Sequence, residues 1–209
     1  MIDRIKNAVI ERKRDQIQGL VSDALAEKVP CETIINDGLI SAMDLVGRRF
    51  GTGEIFVPEM LVSALTMKLG LDVVKPHLNQ EGGGTSRGTI VMGTVKGDLH
   101  DIGKNIVIMM LEGAGFIVAD LGVNLPPERI LEEVEQIKPN ILGLSALLTT
   151  TMSELRNVIE ALESSGLRKS VKVMVGGAPV DAKFAEKIGA DGYGKDAAQA
   201  VELARRLVA

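Results

Sequence analysis

From residue 89 to the end of the chain, short runs of branched apolar residues alternate with longer stretches of helical spacing, and no other feature constrains the fold as strongly. The short runs cover 89–95, 116–119, 141–145 and 171–175; the helical stretches cover 104–112, 127–137, 152–164, 181–188 and 196–208. Strands separated by helices lie parallel in one sheet, because each helix carries the chain back across a face of the sheet. A fifth short strand over 190–193 completes the count. Residues 89–209 are therefore expected to form an α/β domain: a flavodoxin-like (Rossmann-type), doubly wound, parallel five-stranded sheet. In such sheets ligands sit at the carboxyl ends of the strands, where the strand order reverses. That directs attention to the loops after strands one, three and four.

Residues 1–78 have a different period. Apolar residues recur at helical spacing in three segments: Ile17, Leu20, Val21, Ala24 and Leu25; Ile35, Leu39, Ala42 and Val46; Leu61, Leu65, Leu69 and Val73. A small helical bundle buries all three faces. Between the last two segments the glycines of Phe50-Gly51-Thr52-Gly53-Glu54-Ile55-Phe56-Val57-Pro58 break the pattern, and Pro58 suits the first turn of the next helix. Residues 79–88, with Gly82, Gly83 and Gly84, bury little and read as a linker. The expected organisation is a helical cap over 1–78, a glycine-rich linker over 79–88 and the α/β domain over 89–209.

Composition removes several function classes. A net charge of -4 lacks the basic footprint of nucleic-acid binding, and a chain with no Trp and one Tyr offers little surface for stacking bases. Cys31 is the sole cysteine, which excludes an intramolecular disulfide, a Cys-x-x-Cys pair and a thiolate metal cage; following Pro30 at the start of a helical pattern, it reads as inert. The longest uninterrupted apolar stretch, 106–111, is far short of a membrane span, and Met1-Ile2-Asp3-Arg4 lacks the apolar run expected of a signal peptide. No membrane partner and a cytoplasmic location are expected. His77, beside Pro76 near the end of the third helical segment, reads as a surface cap.

The loop after the first strand is the densest polar cluster: Lys96-Gly97-Asp98-Leu99-His100-Asp101-Ile102-Gly103. A neutral imidazole suits a borderline transition metal, and a carboxylate accepting its other N–H fixes the tautomer and raises the basicity of the ligand; Asp98 is placed for that. Gly97 and Gly103 allow a bulky flat group to approach the backbone. By itself the motif is equally a loop histidine satisfied by neighbouring carboxylates. After the third strand, Ser145-Ala146-Leu147-Leu148-Thr149-Thr150-Thr151-Met152 sets four hydroxyls at a helix start, which taken singly is a helix-capping pattern. After the fourth comes Gly176-Gly177-Ala178-Pro179, which alone is a turn.

Together, Asp98-x-His100-x-x-Gly103, Ser145-x-Leu147 and Gly176-Gly177 resemble the cobalamin-binding module of methionine synthase and of the small corrinoid proteins of methylotrophic methyltransferase systems. Gly47-Arg48-Arg49-Phe50-Gly51 and Glu54-Ile55-Phe56-Val57-Pro58-Glu59 resemble the helical cap that precedes that module, so the resemblance spans essentially the whole chain. It implies that His100 replaces the cofactor's own benzimidazole as lower axial cobalt ligand, in the base-off/His-on mode, with Asp98 hydrogen-bonded to it and Thr151 where the family's relay carries a serine. The nucleotide tail would pass Ser145, Thr149, Gly176 and Gly177, with Ala197 at the far end. Phe50 and Val57 match cap residues over the methyl-bearing face, and Gly97, Leu99, Asp101, Gly103 and Leu147 complete the expected cofactor-binding set.

The function so implied is a corrinoid methyl carrier with no catalytic residue of its own. Its cofactor is cobalamin or a related corrinoid, cycling through methylcobalamin and the Co(I), Co(II) and Co(III) states, with proton uptake by His100, Asp98 and Thr151 accompanying loss of the His100 bond. The linker glycines would let the cap move aside for each partner. The implied partners are a substrate:corrinoid methyltransferase serving methylamines, methanol, methoxylated aromatics or a betaine, a second methyltransferase acting on coenzyme M or tetrahydrofolate, and a reductive activation protein. The competing readings are the adenosylcobalamin-binding subunit of an isomerase, a B12-dependent regulator, which needs a DNA-binding domain, and a flavin- or phosphate-binding flavodoxin-like domain. Against the last, Gly103-Lys104-Asn105 lacks P-loop spacing and no Gly-x-Gly-x-x-Gly follows the first strand.

Overall fold

The computed structural model describes residues 1–81 and 86–209; Gly82, Gly83 and Gly84 lie outside the described residues. The chain divides into two compact units, one of Met1–Ser86 with Glu112–Gly115, the other of Arg87–Leu111 with Phe116–Ala209. The division between Ser86 and Arg87 falls inside the stretch read as a linker.

The first unit is helical. α1 (Ile2–Ile10) buries Ile5, Ala8 and Val9, and α2 (Arg14–Ala26) buries Ile17, Leu20, Val21 and Ala24. A further helical run starts with a single turn, α3 (Cys31–Thr33), widens into a π-helical stretch over Ile34–Ile40 and continues as α4 (Ser41–Gly51). Cys31 is buried at its start. The wider stretch brings Gly38 against Ile5, where a Cβ would meet Cγ2 at 3.2 Å. α5 (Val57–Glu81) packs along α2 and α4. Two features differ from the expected bundle. α1 is an additional helix, its face formed by Ile5, Ala8 and Val9. α5 runs through Pro76 to Glu81, three residues into the expected linker, and leaves His77 exposed within its final turns.

The second unit is a parallel five-stranded sheet in the order β2-β1-β3-β4-β5, with β1 (Thr89–Thr94), β2 (Ile117–Asp120), β3 (Ile141–Ser145), β4 (Lys172–Gly176) and β5 (Gly192–Gly194). α6 (Ile102–Gly113), α7 (Pro127–Ile137), α8 (Met152–Ser164), α9 (Ala182–Lys187) and α10 (Ala197–Val208) connect and follow the strands. One face of the sheet presents Val91, Leu142, Leu144, Val173 and Val175 to a core that includes Ile130 and Val134 of α7 and Leu155, Val158, Ile159 and Leu162 of α8. α10 packs against β3, β4 and β5. β5 starts two residues later than the expected 190–193 and ends one later, because its pairing with β4 starts at Gly192 opposite Met174.

The sheet register decides which strand ends meet. Thr94 pairs with Ser145, Ser145 with Gly176 and Gly176 with Gly194, so one row crosses the carboxyl end of four strands. The strand order reverses between β1 and β3, and the loops leaving Thr94 and Ser145 open side by side at that point.

Candidate functional site

The loop between β1 and α6 turns immediately after Val95. Asp98 N–H donates to Val95 O at 3.2 Å, and Gly97 sits at φ +79°, in the left-handed region where a side chain is strained. This turn sends the Asp98 side chain inward, where it is wholly buried, and leaves His100 half-exposed. Thr94, buried at the end of β1, donates through Oγ1 to His100 O at 3.0 Å.

A lone carboxylate at 0 % exposure would be costly, and here five donors meet it. Oδ1 accepts from His100 N at 3.1 Å and from His100 Nδ1 at 2.7 Å. Oδ2 accepts from Leu147 N at 2.7 Å, Leu148 N at 3.3 Å and Thr151 Oγ1 at 2.8 Å. Burial pushes the Asp98 carboxyl up, but the Leu147 N–H, the side chain and backbone of His100 and the Thr151 hydroxyl together outweigh it and hold the group well below the usual carboxylate range.

The ionised carboxylate has no proton to give, so the proton of the 2.7 Å contact belongs to His100 Nδ1. In the neutral imidazole that tautomer places a lone pair on Nε2, which has no hydrogen-bond partner among the described residues. The geometry is that of a histidine oriented by a carboxylate with its second nitrogen available to a metal. Among the described residues no three His, Cys, Asp or Glu side chains gather to hold an ion, so a metal at Nε2 would bring its remaining ligands with it.

The surroundings are apolar. Leu99 and Ile102, either side of His100 in sequence, are 71 % and 77 % exposed, and Leu147 and Leu148 of the adjoining loop are also exposed. Four exposed aliphatic side chains, on two neighbouring loops and the first residue of α6, form a surface suited to a large flat ligand. Gly103, in the first turn of α6, has open space where a Cβ would stand.

Several expected residues take roles that spacing alone left open. Thr151 precedes α8 in the capping position but makes no capping bond there; its hydroxyl lies between Asp98 Oδ2 and Leu148 O, at 2.8 and 2.9 Å, with one proton for the two. Asp101 is exposed and serves the first turn of α6, its carboxylate accepting from Asn105 Nδ2 at 3.2 Å. Ser145 lies in the strand-end row, Thr149 is exposed on the loop beyond, and Ala197 starts α10 and is buried. Gly177 has a reason for being glycine inside the protein: at φ +126° its Cβ would stand 1.9 Å from Ala146 O. A Cβ on Gly176 would lie 3.1 Å from Gly194 O. Phe50 lies in the last turn of α4 and Val57 opens α5, both half-buried in the first unit.

Residue spacing gives no notice of Thr94, Ile102, Leu148, Asn124 or the Lys104–Asp120 pair. Lys104 is buried and contacts Asp120 Oδ1 at 2.5 Å, tying α6 to the end of β2. Asn124 follows β2, a loop away from the switch point, and accepts through Oδ1 from Gly97 N at 2.8 Å. The one signal for it is local, since an Asn shortly before Leu125-Pro126-Pro127 marks a turn.

Known proteins share both units. Residues 88–202 match a family model described as a B12 binding domain, and residues 1–75 match a second model with the same description. The chain is 42% identical over 209 residues to the dimethylamine corrinoid protein of Methanosarcina barkeri, covering 100% of this chain and 98% of the relative. Among solved structures it resembles a cobalamin-binding protein from Desulfitobacterium hafniense, with a TM-score of 0.82, 33% identity and coverage of 100% and 99% of the two chains. It also resembles a chain of the methanol:cobalamin methyltransferase complex of Methanosarcina barkeri, with a TM-score of 0.87, 33% identity and coverage of 98% and 78%.

Proposed function

The chain belongs to the B12-binding corrinoid proteins, and from that premise we propose that it is a methyl carrier whose cobalt would be held by His100 Nε2. The observation that carries the assignment of the ligand is the pairing of a buried, ionised Asp98 with the Nδ1–H of a half-exposed His100. The residues present fit a corrinoid: an imidazole nitrogen with no hydrogen-bond partner among the described residues, a surround of Leu99, Ile102, Leu147 and Leu148, and open space at Gly103. When bound, the corrinoid supplies a cobalt centre that accepts and releases a methyl group.

The chain's own contribution is orientation and proton placement. Asp98 fixes the tautomer and plane of the ring, and Leu147, Leu148 and Thr151 fix Asp98. With the carboxylate held ionised, the proton of the Asp98–His100 contact stays on Nδ1. Ser145, Thr149, Gly176, Gly177 and Ala197 belong to this proposal as the path of the nucleotide tail, supported by their place at the carboxyl edge of the sheet. The roles of Phe50 and Val57 over the methyl-bearing face, and of residues 1–78 as a cap, rest on the motif that carries them.

The partners are methyltransferases. On the donor side we assign a substrate:corrinoid methyltransferase, with dimethylamine as the first substrate to assay, given the relative named for it, and other methylamines, methanol, methoxylated aromatics and betaines as further arms. A coenzyme M or tetrahydrofolate methyltransferase and a reductive activation protein complete the proposed set. Among the described residues no helix is long and apolar enough to cross a membrane. The same reading puts the carrier in the cytoplasm.

Reconstitution with hydroxocobalamin followed by methylation tests the proposal. One corrin per chain with a base-off/His-on ultraviolet-visible spectrum, converted to a base-off spectrum in His100→Ala, is expected. Failure to retain corrin under anaerobic reconstitution overturns it.

A further inference from the structure

We propose that Asn124, in the loop after β2, is a positioning residue for the His100 ligand. The inference rests on the reading of His100 as the ligand and names what holds its backbone in place. His100 is half-exposed, and among the described residues its ring makes one hydrogen bond, Nδ1 to Asp98. The ring is therefore only as well placed as the backbone of residues 97–100, and a ligand held a few tenths of an ångström from its best position loses much of its value.

Asn124 grips that backbone twice. Its Oδ1 accepts from Gly97 N at 2.8 Å, and its own N–H donates to Asp98 O at 3.0 Å, so one residue spans the peptide groups on both sides of the Gly97–Asp98 step. The grip has a rigid base. Leu125 N–H donates to Thr94 O at 3.1 Å, Thr94 N–H donates to Gly122 O at 3.0 Å, and Val95 bridges Leu125 as an added parallel pair beyond β1. Asn124 thus stands on the sheet itself and connects it to the turn that carries Asp98 and His100.

The residue type matches the task. Asn124 sits at φ +55°, a left-handed conformation that Asn adopts more readily than other non-glycine residues, and it supplies a carbonyl acceptor from a short side chain. Glycine would meet the first requirement and not the second; aspartate meets both. This separates the acceptor from the backbone conformation experimentally.

The test uses the full chain reconstituted with methylcobalamin at fixed pH. It compares wild type, His100→Ala, Asn124→Gly and Asn124→Asp by the ratio of His-on to base-off corrin in the ultraviolet-visible spectrum, with thermal unfolding of each apoprotein alongside. Asn124→Gly is expected to unfold within about 4 °C of wild type while its His-on ratio falls about fivefold, the equivalent of one uncharged hydrogen bond. Asn124→Asp is expected to keep a ratio close to wild type. A wild-type ratio in Asn124→Gly overturns the proposal, and so does an Asn124→Asp variant as impaired as Asn124→Gly. Should Asn124→Gly fail to fold, Asn124→Asp decides alone: a wild-type ratio supports the acceptor role and a lowered one overturns it. If wild type and His100→Ala share one spectrum, the ligand assignment has failed and takes the positioning role with it, an outcome distinct from a defect confined to Asn124.

Discussion

Asp98 Oδ1 and His100 Nδ1 lie 2.7 Å apart, the carboxylate fully buried and the imidazole half-exposed, so the two ends of one hydrogen bond face different media. The buried end is held by residues some fifty positions along the chain, and the exposed end leaves Nε2 without a hydrogen-bond partner among the described residues. Replacing Asp98 by Asn puts an amide N–H₂ where Oδ1 or Oδ2 accepts and leaves donors facing donors. The apoprotein is expected to lose about 2–3 kcal/mol of stability, read by urea denaturation. The reconstituted variant is expected to have a lowered His-on fraction; wild-type values of both would remove Asp98 from its role.

The same group gives the acid limb of stability its sign. The folded carboxyl is held below its ordinary value, so the unfolded chain takes up this proton first as pH falls. The stabilisation is complete above about pH 5 and is lost progressively below the unfolded value near 3.9. In acid titrations of the apoprotein, wild type is expected to exceed Asp98→Asn most above pH 5, the gap narrowing steadily below pH 4. A gap that widens with acid would contradict the ionised state of Asp98.

Thr151 offers a sharper probe of the hydroxyl. Thr151→Val keeps the shape and removes the donor to Asp98 Oδ2, with an expected loss of about 1–2 kcal/mol. Thr151→Ser is expected to recover most of it. If valine and serine behave alike in urea melts, the hydroxyl contributes nothing there.

Two glycines are expected to part company. Gly177→Ala would drive a Cβ to 1.9 Å from Ala146 O at a backbone angle that alanine disfavours, and should destabilise the apoprotein by about 3 kcal/mol or more. Gly103→Ala meets open space in a helix and should leave stability unchanged or raise it by up to about 1 kcal/mol. Its effect should instead appear as an increase of about tenfold in the Kd for hydroxocobalamin. Unchanged affinity would mean that the corrin does not lie against Gly103.

The Lys104–Asp120 pair should respond asymmetrically, because the lysine side chain is 1 % exposed and the aspartate 41 %. Asp120→Ala leaves a buried ammonium with Asn105 as its remaining side-chain partner among the described residues and is expected to cost about 3 kcal/mol. Lys104→Met leaves an aspartate that water can reach and is expected to cost about 1 kcal/mol or less. Equal losses in denaturant melts would contradict the burial difference.

Much of this architecture is legible in the chain alone. The alternation after Thr89 fixes five strands and their helices because side-chain period is a local property; 127–137, 141–145 and 152–164 need no revision. Asp98-x-His100 sets a carboxylate beside an imidazole for the same reason, since both residues ride on one short loop. α1 escapes such a reading although Ile5, Ala8 and Val9 share a face, because one short amphipathic segment has no meaning until something packs on it.

The tertiary structure decided what depends on distance between remote residues. Thr151 could have capped α8 or met Asp98, and only the pairing of β1 with β3, which sets their loops side by side, selects the second. Gly177 reads as room for a ligand, yet its Cβ is excluded by Ala146 O, a contact between adjacent strand ends that no local pattern encodes. Asn124 is a turn residue in the sequence and a clamp in the fold, because β2 lies beside β1 and brings it against Gly97 and Asp98. Residue types and their spacing determine which elements form and which chemistry is present; the sheet register determines which of those groups meet, since hydrogen bonds form over about 3 Å and the chain joins the partners over tens of residues.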